Sequence, residues 1–159
     1  MTTDPNPLLR HTLATLAYRA DKALRDAPPG FSTFRAGPSS RSPGEILAHL
    51  GDLLDWAAFL ARGTQQWQPV TPGDWDADVL RFFAAVQALD VVLQSDLVTD
   101  DASRRVFQGP IADALTHVGQ LNFLRRLAGS PVKAENYARA SAIRAGNLGP
   151  RFGGPRAEF

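Results

Sequence analysis

Apolar positions return at three- and four-residue steps along most of the chain, separated by links rich in proline, glycine and serine. Between Pro7 and Asp26, Leu9, Leu13, Leu16, Ala20 and Leu24 form one stripe, which predicts a first amphipathic helix. The stretch "DAPPGFSTFRAGPSSRSPG" is then too broken for a regular element and reads as a long connection, 27–41. "SPGE" marks the next start: Ser42 as N-cap, Pro43 at the first helical position, and Glu45 placed to reach back as a capping box. Ile46, His49, Leu50, Leu53, Ala57 and Leu60 follow on one face, and Gly63 supplies the stop.

After "GTQQWQPVTPG", a third helix is expected from about Asp74 to Leu97, carrying Phe82, Val86, Leu89 and Leu93. "VTDDASRRVFQGP" interrupts the pattern. A fourth helix is expected to begin at Gly109-Pro110 and run to Gly129, with His117, Leu121, Leu124 and Ala128 on its inner stripe and Asp113 one turn earlier. From about residue 130 the chain reads as an irregular tail, with a short helix around Asn136 to Arg144 and with Phe152 and Phe159 as anchors. No β-strand alternation of useful length occurs. Four amphipathic helices, none able to bury its face alone, predict an all-α, antiparallel four-helix bundle in a single domain, 1–159.

Composition narrows the chemistry. The 159 residues carry a formal charge of +1 and offer no basic field for phosphates, so nucleic acid is not an expected partner. With no cysteine, the protein has no disulfide, thiolate site or nucleophilic thiol of its own. The N-terminus has no basic segment followed by an apolar run, and no window approaches a membrane span; a cytoplasmic protein is expected. A Gly-x-Ser-x-Gly elbow, a phosphate-binding glycine loop and a His-Glu-x-x-His motif are also missing.

What stands out is the polar content of two inner stripes. Asp113 and His117 lie four residues apart, one above the other on a helix, and His49 faces inward from another. A carboxylate in an apolar core costs several kcal/mol unless a cation compensates it, roughly the penalty for any buried unpaired ion. Two imidazoles and a carboxylate form a facial set for a divalent transition ion with positions left open, and nitrogen and oxygen donors suit zinc, nickel, iron and manganese alike. The competing reading is a set of hydrogen-bonded core residues. His11 lies off its stripe and is expected to be exposed. Gln120, one turn beyond His117, is either a group supporting a ligand or a surface residue. Trp56, Trp67 and Trp75 gather near the end of the second helix as possible pocket or interface walls, and Arg125 and Arg126 are expected to point into solvent or toward the tail.

These residues resemble the DinB/YfiT-like four-helix bundles. That family pattern has one histidine on helix two, here His49 in "ILAHLGDLLDW". It has a His-x-x-x-His pair on helix four whose second histidine precedes a "(R)GQ" segment, here His117 with Gly119 and Gln120 in "DALTHVGQLNFLRRLAGSPV". The resemblance spans essentially the whole chain. It implies a divalent-metal-dependent protein and a homodimer. Some members are similar to thiol transferases that activate a low-molecular-weight thiol such as bacillithiol or mycothiol for attack on a small electrophile, and related ones isomerise maleylpyruvate. Asp113 stands where the family usually has histidine. Two readings stay open: a carboxylate ligand that favours a harder ion, or a member without metal. The corresponding function expectations are a metal-dependent, thiol-using transferase acting on a small molecule, or a metal-free dimeric bundle serving as a stress-associated interaction module.

Overall fold

The computed structural model describes residues 4–152, 156 and 157; the anchoring role expected of Phe159 lies outside them. The described residues are helical, with no β-strand and a single bridge residue at Glu135. The helices are α1 (Pro7–Leu24), α2 (Pro43–Ala61), α3 (Trp75–Leu93), α4 (Asp100–Val106) and α5 (Ala112–Leu127), the last two joined by a π-helical turn, Phe107–Ile111. No helix is long and apolar enough to cross a membrane among these residues.

Each start has a local cause. Ser42 and Glu45 form the expected reciprocal cap: the Glu45 amide donates to Ser42 Oγ at 3.3 Å and the Ser42 amide to Glu45 Oε2 at 2.7 Å. Asp74 caps α3 by accepting from the Ala77 amide at 3.2 Å, and Thr99 caps α4 by accepting from Ala102 at 3.2 Å. Helix α3 ends at Leu93, short of Leu97, where the backbone tightens into the turn before Thr99.

The fourth helical rod differs from expectation at its beginning. It starts at Asp100, in the segment read as a break, and Gly109-Pro110 lies inside it. Proline lacks an amide and crowds the carbonyl four residues back, so an ordinary α-turn fails there. The wider π-turn accommodates it. The buried positions run Ala102, Val106, Pro110, Ala114 and Val118, with Ile111 buried beside Pro110. An extra residue in one turn rotates everything after it by about 100° around the axis, which aims the following face of α5. Helix α4 buries only Ala102 and Val106, too few to show a stripe in so polar a segment.

Helix α2 packs against α3 and α5, and α1 packs against the same two. The expected stripes line the core between them: Leu13, Leu16, Leu50, Leu53, Leu54, Phe82, Val86, Leu89 and Leu121 are buried. Burying a large apolar side chain contributes about 1.5–3 kcal/mol, so these faces hold the rods together.

Beyond Gly129 the expected short helix is only a 3₁₀ turn, Tyr137–Arg139. The segment is held instead by buried polar contacts. Glu135 accepts from Tyr18 Oη at 2.5 Å, from Lys22 Nζ at 2.8 Å and from the Ala157 amide at 3.3 Å. Phe152 packs edge-on against Tyr18 at 5.2 Å. Arg125, expected in solvent or toward the tail, is buried: it donates to the carbonyls of Ala23 at 3.1 Å and Arg25 at 2.7 Å at the end of α1, and it reaches the start of the tail at Ser130 O and Oγ, at 2.9 Å each. Its neighbour Arg126 is exposed as expected. Two consecutive residues on a helix point about 100° apart, so one arginine can close the core while the other is solvated.

Candidate metal centre

His49 comes from the second turn of α2, and Asp113 and His117 come from the first two turns of α5. The packing of α2 on α5 brings the three together. His49 Nε2 is 3.5 Å from Asp113 Oδ2, and His117 Nε2 is 3.4 Å from Asp113 Oδ1. The two imidazole rings stand edge to face with centroids 4.8 Å apart. One donor atom from each residue lies within 4.8 Å of the other two, and the group could hold a metal ion.

The burial differs from the sequence expectation in one respect. His117 is buried and His49 half-buried, but Asp113 is exposed, its side chain retaining 46% of its accessible surface. The trio therefore lies at the edge of the core, where the cost of an unpaired buried carboxylate does not arise.

Gaps of 3.4 and 3.5 Å exceed good N–H···O hydrogen bonds, which lie near 2.9 Å. They run to different oxygens of Asp113, and one donor atom from each of the three residues lies within 4.8 Å of the other two. His117 has its other nitrogen engaged: Nδ1 lies 2.8 Å from Gln120 Oε1. With Nδ1–H donating to that oxygen, Nε2 carries the lone pair toward Asp113 and His49, the arrangement in which ligating histidines are usually held. His49 is held below the ordinary histidine pKa, first by burial and then by the nearby charges of His117 and Arg41, against the opposing pull of Asp113. Its imidazole is therefore neutral at pH 7, as ligation needs. The donor set fits a divalent transition ion held by three protein ligands.

The trio opens onto a cleft of about 840 Å³ whose walls come from α2, α5 and the connection 27–41. Ala36, Ser40 and Arg41 bring that connection into the wall, so it lines the site as well as linking two helices. It is folded rather than loose. Phe31 is buried against Trp75 at 5.7 Å, and Arg35 bridges to Ser40 O at 2.6 Å and to Glu45 at 2.8 Å. Helix α5 adds Thr116, Gln120 and Phe123, and α2 adds Ile46.

The tryptophans divide. Trp67 stands edge-on to His49 and to Trp56, both at 5.8 Å, while Trp75 is away on Phe31. Trp67 lies on the link between α2 and α3, which is fastened by Asp52 accepting from the Val70 amide at 3.1 Å. Arg81 in turn holds Asp52 at 2.8 Å and Asp55 at 2.9 Å. His11 is exposed, as expected, and takes no part. Sequence reasoning missed Arg41, which carries no motif; its one available signal is its place just before the Ser42 cap, close to the His49 stripe.

Comparison of the chain with protein-family models, with curated proteins and with solved structures finds no match.

Proposed function

We propose that this protein is a divalent-metal-dependent enzyme of the DinB/YfiT-like kind, an antiparallel four-helix bundle whose ion is held by His49, Asp113 and His117. The observation that carries the reading is the convergence of one donor atom from each of the three residues, all within 4.8 Å of one another, in the wall of an open cleft. A closed structural site would draw a fourth ligand from the chain, and none of the other cleft residues offers an imidazole, thiolate or carboxylate. The open side faces the cavity, where a small molecule has room.

A bound ion would supply Lewis acidity, lowering the pKa of a thiol or water that meets it. The chain's own residues do the rest. Gln120 fixes the His117 tautomer, Trp67 covers one flank of His49, and Ile46 and Phe123 provide apolar wall that keeps bulk water from part of the cleft. With no cysteine in the chain, a thiol-dependent reaction must take its sulfur from a small-molecule thiol, and the favoured activity is transfer of such a thiol to a small electrophile.

Elemental analysis of the purified protein beside His49→Ala, Asp113→Ala and His117→Ala tests the site. About one ion per chain is expected, lost in each variant while the circular dichroism of the helices is retained. Wild-type protein that takes up no zinc, nickel, iron or manganese overturns the reading. For the activity, the ion-loaded protein should accelerate consumption of monobromobimane by bacillithiol or mycothiol; a rate equal to the protein-free rate refutes the transferase assignment.

A further inference from the structure

The cleft beside the trio contains a cation with no carboxylate to answer it. Five of the arginines near the core have partners: Arg10 with Asp90, Arg25 with Asp21, Arg35 with Glu45, Arg81 with Asp52 and Asp55, and Arg125 with backbone carbonyls. Arg41 is exposed and makes no hydrogen bond or ion pair among the described residues, and it lines the same cleft as His49. An unpaired arginine on a cavity wall is available for a ligand, and a guanidinium is shaped to take a carboxylate by two parallel N–H···O bonds.

A second donor lines the same cleft. Gln120 spends its oxygen on His117, and its amide nitrogen has no partner among the described residues. Around these two groups the wall is apolar, with Ile46 and Leu124 at its base and Phe123, 59% exposed, at the rim. Phe123 is a large aromatic surface with nothing packed over it, suited to a flat or branched apolar body.

We infer that the cleft binds a small organic carboxylate, with Arg41 and the amide N–H groups of Gln120 taking the charge and Phe123, Ile46 and Leu124 taking the apolar body. The inference deepens the proposed function, resting on it only for the ligand's place beside an ion. A carboxylate is favoured over phosphate because, among the described residues, Arg41 is the one cationic side chain lining the cleft, enough to answer a single charge. Arg41 is a binding residue and stands apart from the ligand set.

Benzoate and its neutral isostere benzamide are the probes, titrated into ion-loaded and into metal-stripped protein and read by chemical-shift changes of the cleft amides. Wild-type protein should prefer benzoate by about five- to tenfold, the range of a charge-assisted pair at a partly solvated site. Arg41→Ala should erase the preference while leaving benzamide affinity, ion content and melting temperature unchanged, and Arg41→Lys should restore part of it. Equal affinity of wild type for the two probes overturns the inference, as does a preference that survives Arg41→Ala. Inorganic phosphate that displaces benzoate at lower concentration than benzoate itself overturns the carboxylate assignment. The stripped protein separates the two readings: a protein that takes up no ion refutes the metal centre, and the benzoate preference measured without ion still decides the role of Arg41.

Discussion

Replacing Gln120 with alanine removes the acceptor that faces His117 Nδ1 across 2.8 Å and leaves the ligand set intact. Without it, the ring loses the bond that fixes its tautomer and its rotation, and a water must take over. Because Gln120 is exposed, that water is available, so the loss is that of an ordinary neutral hydrogen bond, about 0.5–1.5 kcal/mol. Removing partners that orient metal ligands typically lowers affinity about 10–100-fold, and the two ranges meet near tenfold, or about 1.4 kcal/mol. A zinc titration against a chromophoric chelator at neutral pH reads this directly. The metal-free protein should lose no more than that same ~0.5–1.5 kcal/mol, about 1–6 °C in melting temperature. Gln120→Glu places a charged acceptor on the same N–H and should bind zinc at least as tightly as wild type. The reasoning is refuted if Gln120→Ala holds zinc as tightly as wild type, or if the glutamate variant is as weak as the alanine one.

Three further outcomes follow from the frame around the site. Arg125→Met deletes four hydrogen bonds, two of them to the carbonyls of Ala23 and Arg25 at the end of α1, and should cost about 2–4 kcal/mol in urea denaturation; Arg126→Ala, one residue on, should stay within about 0.5 kcal/mol. Burial pushes the Glu135 carboxyl up, but the hydrogen bonds from Lys22 and Tyr18 outweigh it and hold the pKa below the usual value, so its folded form resists protonation more than its unfolded form. Its contribution is complete above the ordinary glutamate pKa of about 4.3 and is lost as pH falls through the depressed folded value; melting followed downward from pH 6 should show this loss, and Glu135→Gln should flatten it. Asp52→Ala releases the Val70 amide and one partner of Arg81, so hydrogen exchange should accelerate at Val70 and along the link carrying Trp67 while the amides of α5 keep their protection.

Local rules written into neighbouring residues were readable along the chain. The Ser42–Glu45 box, the stripes of α1, α2 and α3, and the pairing of Asp113 with His117 each depend on residues at most a few positions apart, which helical geometry relates without reference to the rest of the molecule. His49 could be assigned to an inward face for the same reason, and the resemblance of "ILAHLGDLLDW" and "DALTHVGQLNF" to one family pattern linked it to the other two.

Tertiary structure decided what depends on distant partners. Whether Asp113 is buried turns on how far α2 and the connection 27–41 reach over α5, and they leave it exposed at the rim of a cleft. Whether an arginine is solvated turns on where the end of α1 lies, which separates Arg125 from Arg126. The start of the last helical rod was hidden because α4 buries only Ala102 and Val106, and Gly109-Pro110 reads as a helix start although the chain passes through it in a π-turn. Arg41 acquires significance only because the fold places it in the wall of the cleft that holds His49, Asp113 and His117. Sequence periodicity records which face of an element turns inward; which groups meet there, and which are left for a ligand, is settled only when the elements pack.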